Sequence, residues 1–285
     1  MKKNPKIIVL VLCSRNYLSF ISSKAQQKIW SENISNFKIT HFIGSPYKTQ
    51  REIDYILEND INYLVLETDD GYPNLARKTY LAFEHIYSNY DFDFLFRTNT
   101  SSFIDFKKLR NYVVKNYENL DYCGSVLDVV EGDTIASGAG FFISKKNVEL
   151  ILNNNTYFDD SLPDDVAIAR LLNRFKISPQ NLIRRDLKSV PTPSSVLLGE
   201  DFHYRCRLDP NFHRILEPLL MKYLKRVSEL NGIFSLIYYY LMKIIFKISN
   251  FWLIYKILQK FYSYKFYGEI NIKQYVVYKK NKLNH

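Results

Sequence analysis

The chain has 285 residues, of which 47% are hydrophobic, and a formal net charge of +10. That length supports one main domain with an appendage, and that apolar fraction excludes global disorder. The basic excess favours an anionic partner, while Cys13, Cys123 and Cys206, far apart and without a CxxC pair, indicate neither a zinc site nor a disulfide framework, as expected of a reducing cytosolic setting.

The N-terminus, MKKNPKIIVLVLCSRNY, imitates a signal peptide. Its apolar run Ile7–Cys13 is short, however, and no small-residue cleavage site follows before Arg15, so a buried parallel strand and no secretion signal are expected. Further strands are predicted at Lys38–Gly44, Tyr63–Glu67, Phe92–Arg97, Tyr122–Val129 and Gly140–Ser144. Helices are predicted at about Ser22–Ile34, Arg51–Asn59, Leu75–Ser88, Phe106–Asn116, Lys146–Asn153 and Asp165–Phe175. This alternation predicts an α/β domain over residues 1–210 with a mostly parallel, Rossmann-like sheet flanked by helices. Ligands of such sheets bind beyond the strand carboxyl ends, where Ser14-Arg15, Gly44-Ser45 and Thr98–Ser102 fall.

Asp164 and Asp165 follow Pro163 at the start of a helix marked by Val166, Ile168, Ala169, Leu171 and Leu172. Carboxylates there satisfy free N–H groups and the helix dipole, and they are equally suited to acid–base chemistry. Beyond Pro210 the composition changes: Leu219–Leu230 reads as a basic amphipathic helix, and an aromatic-rich stretch punctuated by Lys243, Lys247, Lys256 and Lys260 follows Gly232. A membrane-spanning helix needs about 20 apolar residues without such recurrent charge, so residues 211–285 read as a helical, basic-aromatic tail that docks on an anionic membrane surface or packs on the main sheet.

Several segments, in order, carry a resemblance. They are Ile7–Ser14 with Gln26-Gln27-Lys28-Ile29-Trp30, then Phe42-Ile43-Gly44, then Asp69 to Thr79 (DDGYPNLARKT), then Ser137–Ser144 and Pro163–Val166. Over residues 6–180 the chain resembles the β-1,3-glycosyltransferases that include the Fringe proteins and β-1,3-galactosyltransferases. The resemblance implies a GT-A fold, a nucleotide-sugar donor, most simply a UDP-sugar, and inverting transfer to a hydroxyl. It implies Asp165 as the base that takes the acceptor proton, with Asp164 as its support. Ser14 and Arg15 become candidates for the nucleoside pocket, Lys78 for a phosphate or uracil contact, and Gly138 and Gly140 for a tight turn beside the acceptor. Read structurally instead, Lys78 is a solvated helix lysine and Arg97 a solvated or ion-paired strand-end residue.

The family's metal-binding Asp-x-Asp is replaced here by Arg97-Thr98-Asn99-Thr100-Ser101-Ser102. Mn²⁺ or Mg²⁺ prefer carboxylate oxygens, so the favoured expectation is a metal-free site in which Arg97 or another cation neutralises the donor diphosphate while Asn99 and Ser101 hydrogen-bond it. If a metal is held, Asp69, Asp70 or His203 are its expected ligands. His203, Arg205 and Arg207 otherwise read as donor-phosphate contacts, with a structural hydrogen-bonding role as the alternative for the histidine. The expectation is a cytoplasmic enzyme, peripheral on the inner face of the plasma membrane of a bacterium. Its acceptor would be a glycan or lipid-linked acceptor of capsule or lipopolysaccharide synthesis, and no nucleic acid is involved. A catalytically lapsed binding or assembly protein of the same fold is the alternative.

Overall fold

The computed structural model describes residues 4–30, 37–45, 63–128, 134–207, 214–229 and 233–249. The helix expected at Arg51–Asn59 and the tail beyond residue 249 lie outside the described residues. Strand β1 (Ile7–Leu12) is followed by α1 (Tyr17–Trp30), β2 (Phe37–Gly44), β3 (Tyr63–Leu66) and α2 (Leu75–Asn89). Then come β4 (Phe94–Asn99), β5 (Ser102–Ile104), α3 (Phe106–Asn116), β6 (Tyr122–Asp128), β7 (Thr134–Ser144), α4 (Lys145–Asn153) and α5 (Asp164–Arg174). Short elements close the main fold: β8 (Gln180–Asn181), β9 (Arg185–Asp186), α6 (Pro193–Leu197) and β10 (His203–Arg205), before α7 (Glu217–Glu229) and α8 (Ile233–Ser249).

Seven strands form one sheet in the order β3-β2-β1-β4-β7-β6-β8, all parallel to their neighbours except β7, which is antiparallel to β4 and β6. Such a sheet is covered on both faces, so its strands are apolar throughout. In β1, Ile7, Val9 and Val11 enter one core while Ile8 and Leu10 enter the other. The first core is completed by α1, α3 and α7, the second by α2, α4 and α5. A second sheet, β5-β10-β9, joins the end of β4 to the segment after α6.

Helix α1 begins earlier than the apolar spacing predicts, because Asn16 caps it: its Oδ1 accepts the Ser19 N–H at 2.9 Å and its carbonyl the Phe20 N–H at 3.0 Å. The core does not end at residue 210. Leu220, Met221, Tyr223, Leu224 and Val227 of α7 share the β1 core, and the Tyr223 hydroxyl donates to the Pro191 carbonyl at 2.6 Å.

One correction concerns the two glycines expected in a tight turn. Strand β7 spans Thr134–Ser144 and continues past Gly138 and Gly140 without a turn, but its pairing with β6 shifts register across them, from Gly124 with Phe141 to Val126 with Ala136. Their need for glycine is spatial: a Cβ on Gly140 would stand 2.1 Å from His203 Cε1. The His203 ring is itself enclosed, edge-on to Phe96 with ring centroids 5.2 Å apart. Gly140→Ala should therefore lower stability by roughly 1–3 kcal/mol through overpacking. Denaturant unfolding checks this, and adding His203→Ala to that background should return part of the loss.

Candidate active site

Pro163, fixed at φ −56°, ends the preceding loop and lets α5 start at Asp164. The apolar face of α5 then inserts Ile168, Leu171 and Leu172 into the second core, which holds the first turn against β4 and β7. Arg97 lies on β4 one place beyond Phe96 and so shares the sheet face of Leu95, the face that α2 and α5 cover. There its guanidinium forms an ion pair with Asp164 Oδ2, which also accepts from Thr79 Oγ1 of α2 at 2.8 Å. The Arg97 and Asp164 side chains are only 2% and 4% exposed, so neither is open to solvent or to a diphosphate. This corrects the expectation that Arg97 neutralises a donor diphosphate: its charge is already taken up by Asp164 in the core.

Asp165 differs from its neighbour. It is partly buried, and its Oδ2 accepts the Gly138 N–H at 2.8 Å while Oδ1 accepts the Val166 N–H at 3.1 Å. Burial, and then the adjacent Asp164 charge, raise its pKa above the ordinary aspartate value. A side chain at Gly138 would stand 2.9 Å from Asp165 Oδ2 and 3.2 Å from Arg97 Nη1, so glycine there lets the carboxylate reach the strand. Two adjacent carboxylates are thereby given different environments: one is paired and enclosed, the other is reachable and inclined to take a proton.

The segment replacing the acidic motif is a closed hydrogen-bonded turn. Asn99 Oδ1 accepts from the Ser101 N–H (3.1 Å), Ser101 Oγ (2.8 Å) and Ser102 Oγ (3.3 Å). From below, Gln26 of α1 donates to the carbonyls of Asn99 and Ser102 at 3.1 and 2.8 Å. His41 Nε2 sits 3.2 Å from Gln26 Oε1, and burial pushes its pKa down to about 3. His203 closes the same turn, with Nε2 3.0 Å from Ser102 Oγ; burial, then the Arg184 charge, push its pKa down to about 3. It is a neutral, enclosed ring and does not reach out of the fold.

The donor set does not suit the divalent ion that the resemblance implies. Among the described residues no group of three or more His, Cys, Asp or Glu side chains could hold one, and the turn offers only amide and hydroxyl oxygens already bonded to one another. Asp70 is occupied elsewhere, and Asp69 is exposed. Lys78, fully buried, donates to Asp70 Oδ1 at 2.6 Å and to the Cys13 carbonyl at 2.8 Å. Asp70 also accepts the N–H groups of Gly44, at 3.0 Å, and of Arg15. This corrects both readings of Lys78, the solvated helix lysine and the phosphate or uracil contact, because the ammonium is enclosed and already paired. It ties together the ends of β1 and β2 and the loop before α2, and so sets where Ser14 and Arg15 stand at the strand ends.

Sequence reasoning missed Arg184. It lies between Leu182, whose N–H donates to the Gly124 carbonyl at 2.7 Å, and Leu187, whose N–H donates to the Arg205 carbonyl at 3.1 Å. Arg184 grips Asp186 with Nε and Nη2 and donates from Nη1 to Ser137 Oγ at 3.0 Å, one residue from the Gly138 that holds Asp165. Arg205, 3.7 Å from Asp186, stands next to it. The cue was only the Arg184-Arg185-Asp186 run, which enters the two-residue strand β9 and is too short to show periodicity.

No family model matches the sequence, and no curated protein does. Among solved structures the chain is similar to S. aureus TarS 1-349, with 12% identity over 82% of this chain and 68% of that one and a TM-score of 0.42. It is also similar to the bifunctional IspDF of Campylobacter jejuni, with 16% identity over 62% of this chain and 49% of that one and a TM-score of 0.36. A third is a Bacillus anthracis protein assigned as a glucose-1-phosphate thymidylyltransferase, in complex with a sucrose, with 11% identity over 62% and 87% and a TM-score of 0.37.

The buried pair yields a sharp expectation. Asp164→Ala leaves Arg97 charged and alone in the core and should cost about 3–5 kcal/mol. Arg97→Met combined with Asp164→Leu should recover most of that loss. Urea unfolding of the two single variants and the double variant checks the cycle.

Proposed function

We propose that this chain is an inverting glycosyltransferase that moves a sugar from a nucleotide sugar, a UDP-sugar by the motif resemblance, to a hydroxyl of a glycan or lipid-linked acceptor. The observation that carries this reading is Asp165: a carboxylate with a raised pKa, held on the β7 backbone at the strand-end edge, beside a neighbour fixed by Arg97. Inverting transfer is a single displacement in which the acceptor hydroxyl attacks the anomeric carbon as the bond from that carbon to the nucleoside diphosphate breaks. The diphosphate leaves with the electron pair, and the hydroxyl proton goes to a base. Asp165 is that base. The Gly138 N–H and the rigid helix start orient its oxygens toward the acceptor, so that little reorganisation accompanies proton transfer. The turn at Asn99–Ser102 and the Lys78–Asp70 tie shape the donor side. A divalent ion is not assigned a part in this chemistry. The enclosure of Arg97 and His203 favours, as a second reading, a lapsed enzyme that still binds its ligands.

The reading extends to location. No helix among the described residues is long and apolar enough to cross a membrane. Helix α8 packs through Met242 and Phe246 and exposes Ile233, Phe234, Ile237, Tyr240 and Ile244, with Lys243 and Lys247 exposed beside them. An apolar helix face with a lysine edge suits the headgroup layer of an anionic membrane. The proposed place of work is thus the cytoplasmic face of a bacterial plasma membrane, where acceptors of capsule or lipopolysaccharide synthesis are carried.

Asp165→Asn should reduce transfer by on the order of 100-fold or more, measured as nucleoside diphosphate release with a hydroxyl acceptor. Unchanged turnover would remove Asp165 as the base, and no turnover by the wild type with any nucleotide sugar would favour the lapsed reading. The sign of the stability effect also follows. A raised carboxylate pKa favours the folded state below the unfolded value of about 3.9 and loses that contribution as pH rises through the folded value. Asp165→Asn should therefore match or exceed the wild-type melting temperature at pH 7, a gap that closes on acidification.

For the membrane, Ile237→Glu with Ile244→Glu should leave the melting temperature unchanged, because both residues are exposed, while weakening sedimentation with phosphatidylglycerol vesicles severalfold. Equal sedimentation of the variant would remove α8 from the docking surface.

A further inference from the structure

Around β9 and β10 several guanidinium groups converge with fewer carboxylates than they need. Arg205 and Arg207 lie two residues apart and continue the line of His203 past the end of β10. That strand is pinned to the replaced acidic motif: Arg205 is the register partner of Ser102, and the Cys206 N–H donates to the Ser101 carbonyl at 2.8 Å. Across β9, Asp186 is the parallel partner of Arg205 and is gripped by Arg184. Among the described residues, Arg184, Arg205, Arg207 and Arg214 face two carboxylates, Asp186 and Glu217.

The bonding within this group is incomplete. Among the described residues, Arg205 Nε and Arg207 Nε are buried and have no hydrogen-bond partner, and neither has Glu217 Oε2. A buried guanidinium N–H without an acceptor is costly, so such a group calls for an explanation, of which a bound anion is one. Asp186 reaches Arg205 only at 3.7 Å, and Glu217 bonds Arg214 at 3.4 Å. Burial, then the neighbouring Arg184 charge, lower the Arg205 pKa, as expected for cations packed together without sufficient counter-charge.

We infer that Arg184, Arg205 and Arg207 form a metal-free phosphate-binding site at the β4–β5 turn, close to Asp165. Guanidinium forks match phosphate oxygens in pairs, and a group of them supplies the positive charge that a divalent ion would otherwise bring. Arg184 is the fixed member, held by Asp186 and by Ser137 on the strand that carries Gly138, while Arg205 and Arg207 bring donors that lack acceptors. The phosphate has two sources consistent with the chemistry: the diphosphate of the donor or a phosphate borne by the acceptor. The assignment rests on the transferase reading only for which of these it is.

The test uses the full chain in EDTA. Inorganic pyrophosphate and UDP are titrated by calorimetry, with uridine as the uncharged control, into the wild type, Arg205→Ala, Arg207→Ala and Arg205→Lys. Expected are binding of pyrophosphate without added metal and a loss of at least tenfold in each alanine variant. Uridine binding should be unchanged, and Arg205→Lys should recover only part because the fork is gone. Unaltered melting temperatures and circular dichroism spectra identify folded variants, and if Arg205→Ala unfolds, Arg207→Ala carries the decision. No pyrophosphate binding in EDTA, or equal pyrophosphate binding by folded alanine variants, overturns the site.

Two arms separate the sources. If pyrophosphate displaces UDP and the alanine variants raise the donor KM, the phosphate is the donor's. If UDP binds equally in all variants while a glycerol-phosphate oligomer is lost with pyrophosphate, it is the acceptor's. Pyrophosphate bound through the arginines with no transfer of any sugar keeps the phosphate site and removes the transferase reading. Transfer at wild-type rate by Arg205→Ala and Arg207→Ala does the opposite.

Discussion

The contact on which the rest of the site depends is the buried pair between Arg97 of β4 and Asp164 at the start of α5. Two opposite charges withdrawn from water repay their desolvation only in a fixed geometry, so the pair acts as a positional lock more than as a source of stability. The lock joins a central strand, the second core and, through Thr79, helix α2. It fixes the axial position and rotation of α5, and the next residue, Asp165, is thereby placed on the Gly138 N–H. One carboxylate is used to hold the other where it can work.

The neutral turn at Asn99–Ser102 follows the same economy. Its oxygens and hydroxyls bond to each other, to Gln26 and to the ring of His203, so it is rigid and satisfied without a cation. Both histidines that support it are pushed to a pKa of about 3 by burial, which keeps the turn free of added charge at neutral pH. Positive charge appears instead one strand away, on β10 and the segment after it.

Much of this fold was legible because its strands are short apolar runs and its helices carry periodic faces. Phe94-Leu95-Phe96-Arg97 even held the clue to Arg97: strand alternation puts the arginine on the Leu95 face, which a parallel sheet buries. What was not legible came from long-range partners. Nothing local in DDGYPNLARK says that Lys78 will turn inward to Asp70, and nothing local sets Gly140 under a histidine more than sixty residues away in sequence. Arg184 escaped notice because its segment owes its shape to the strands on either side and not to its own propensity.

The charge pattern also bears on why a divalent ion fits poorly at this turn. Like charges at contact distance repel by about 4 kcal/mol per unit pair at the effective dielectric of a partly buried site, and a doubly charged ion doubles that against each guanidinium. The carboxylates that normally offset such repulsion are missing from the turn, and those present nearby are already gripped by arginine. An anion meets the reverse situation, since every term that opposes the cation favours it. The neutral turn and the arginines on the adjoining strand thus act in the same direction, against a cation and toward an anion.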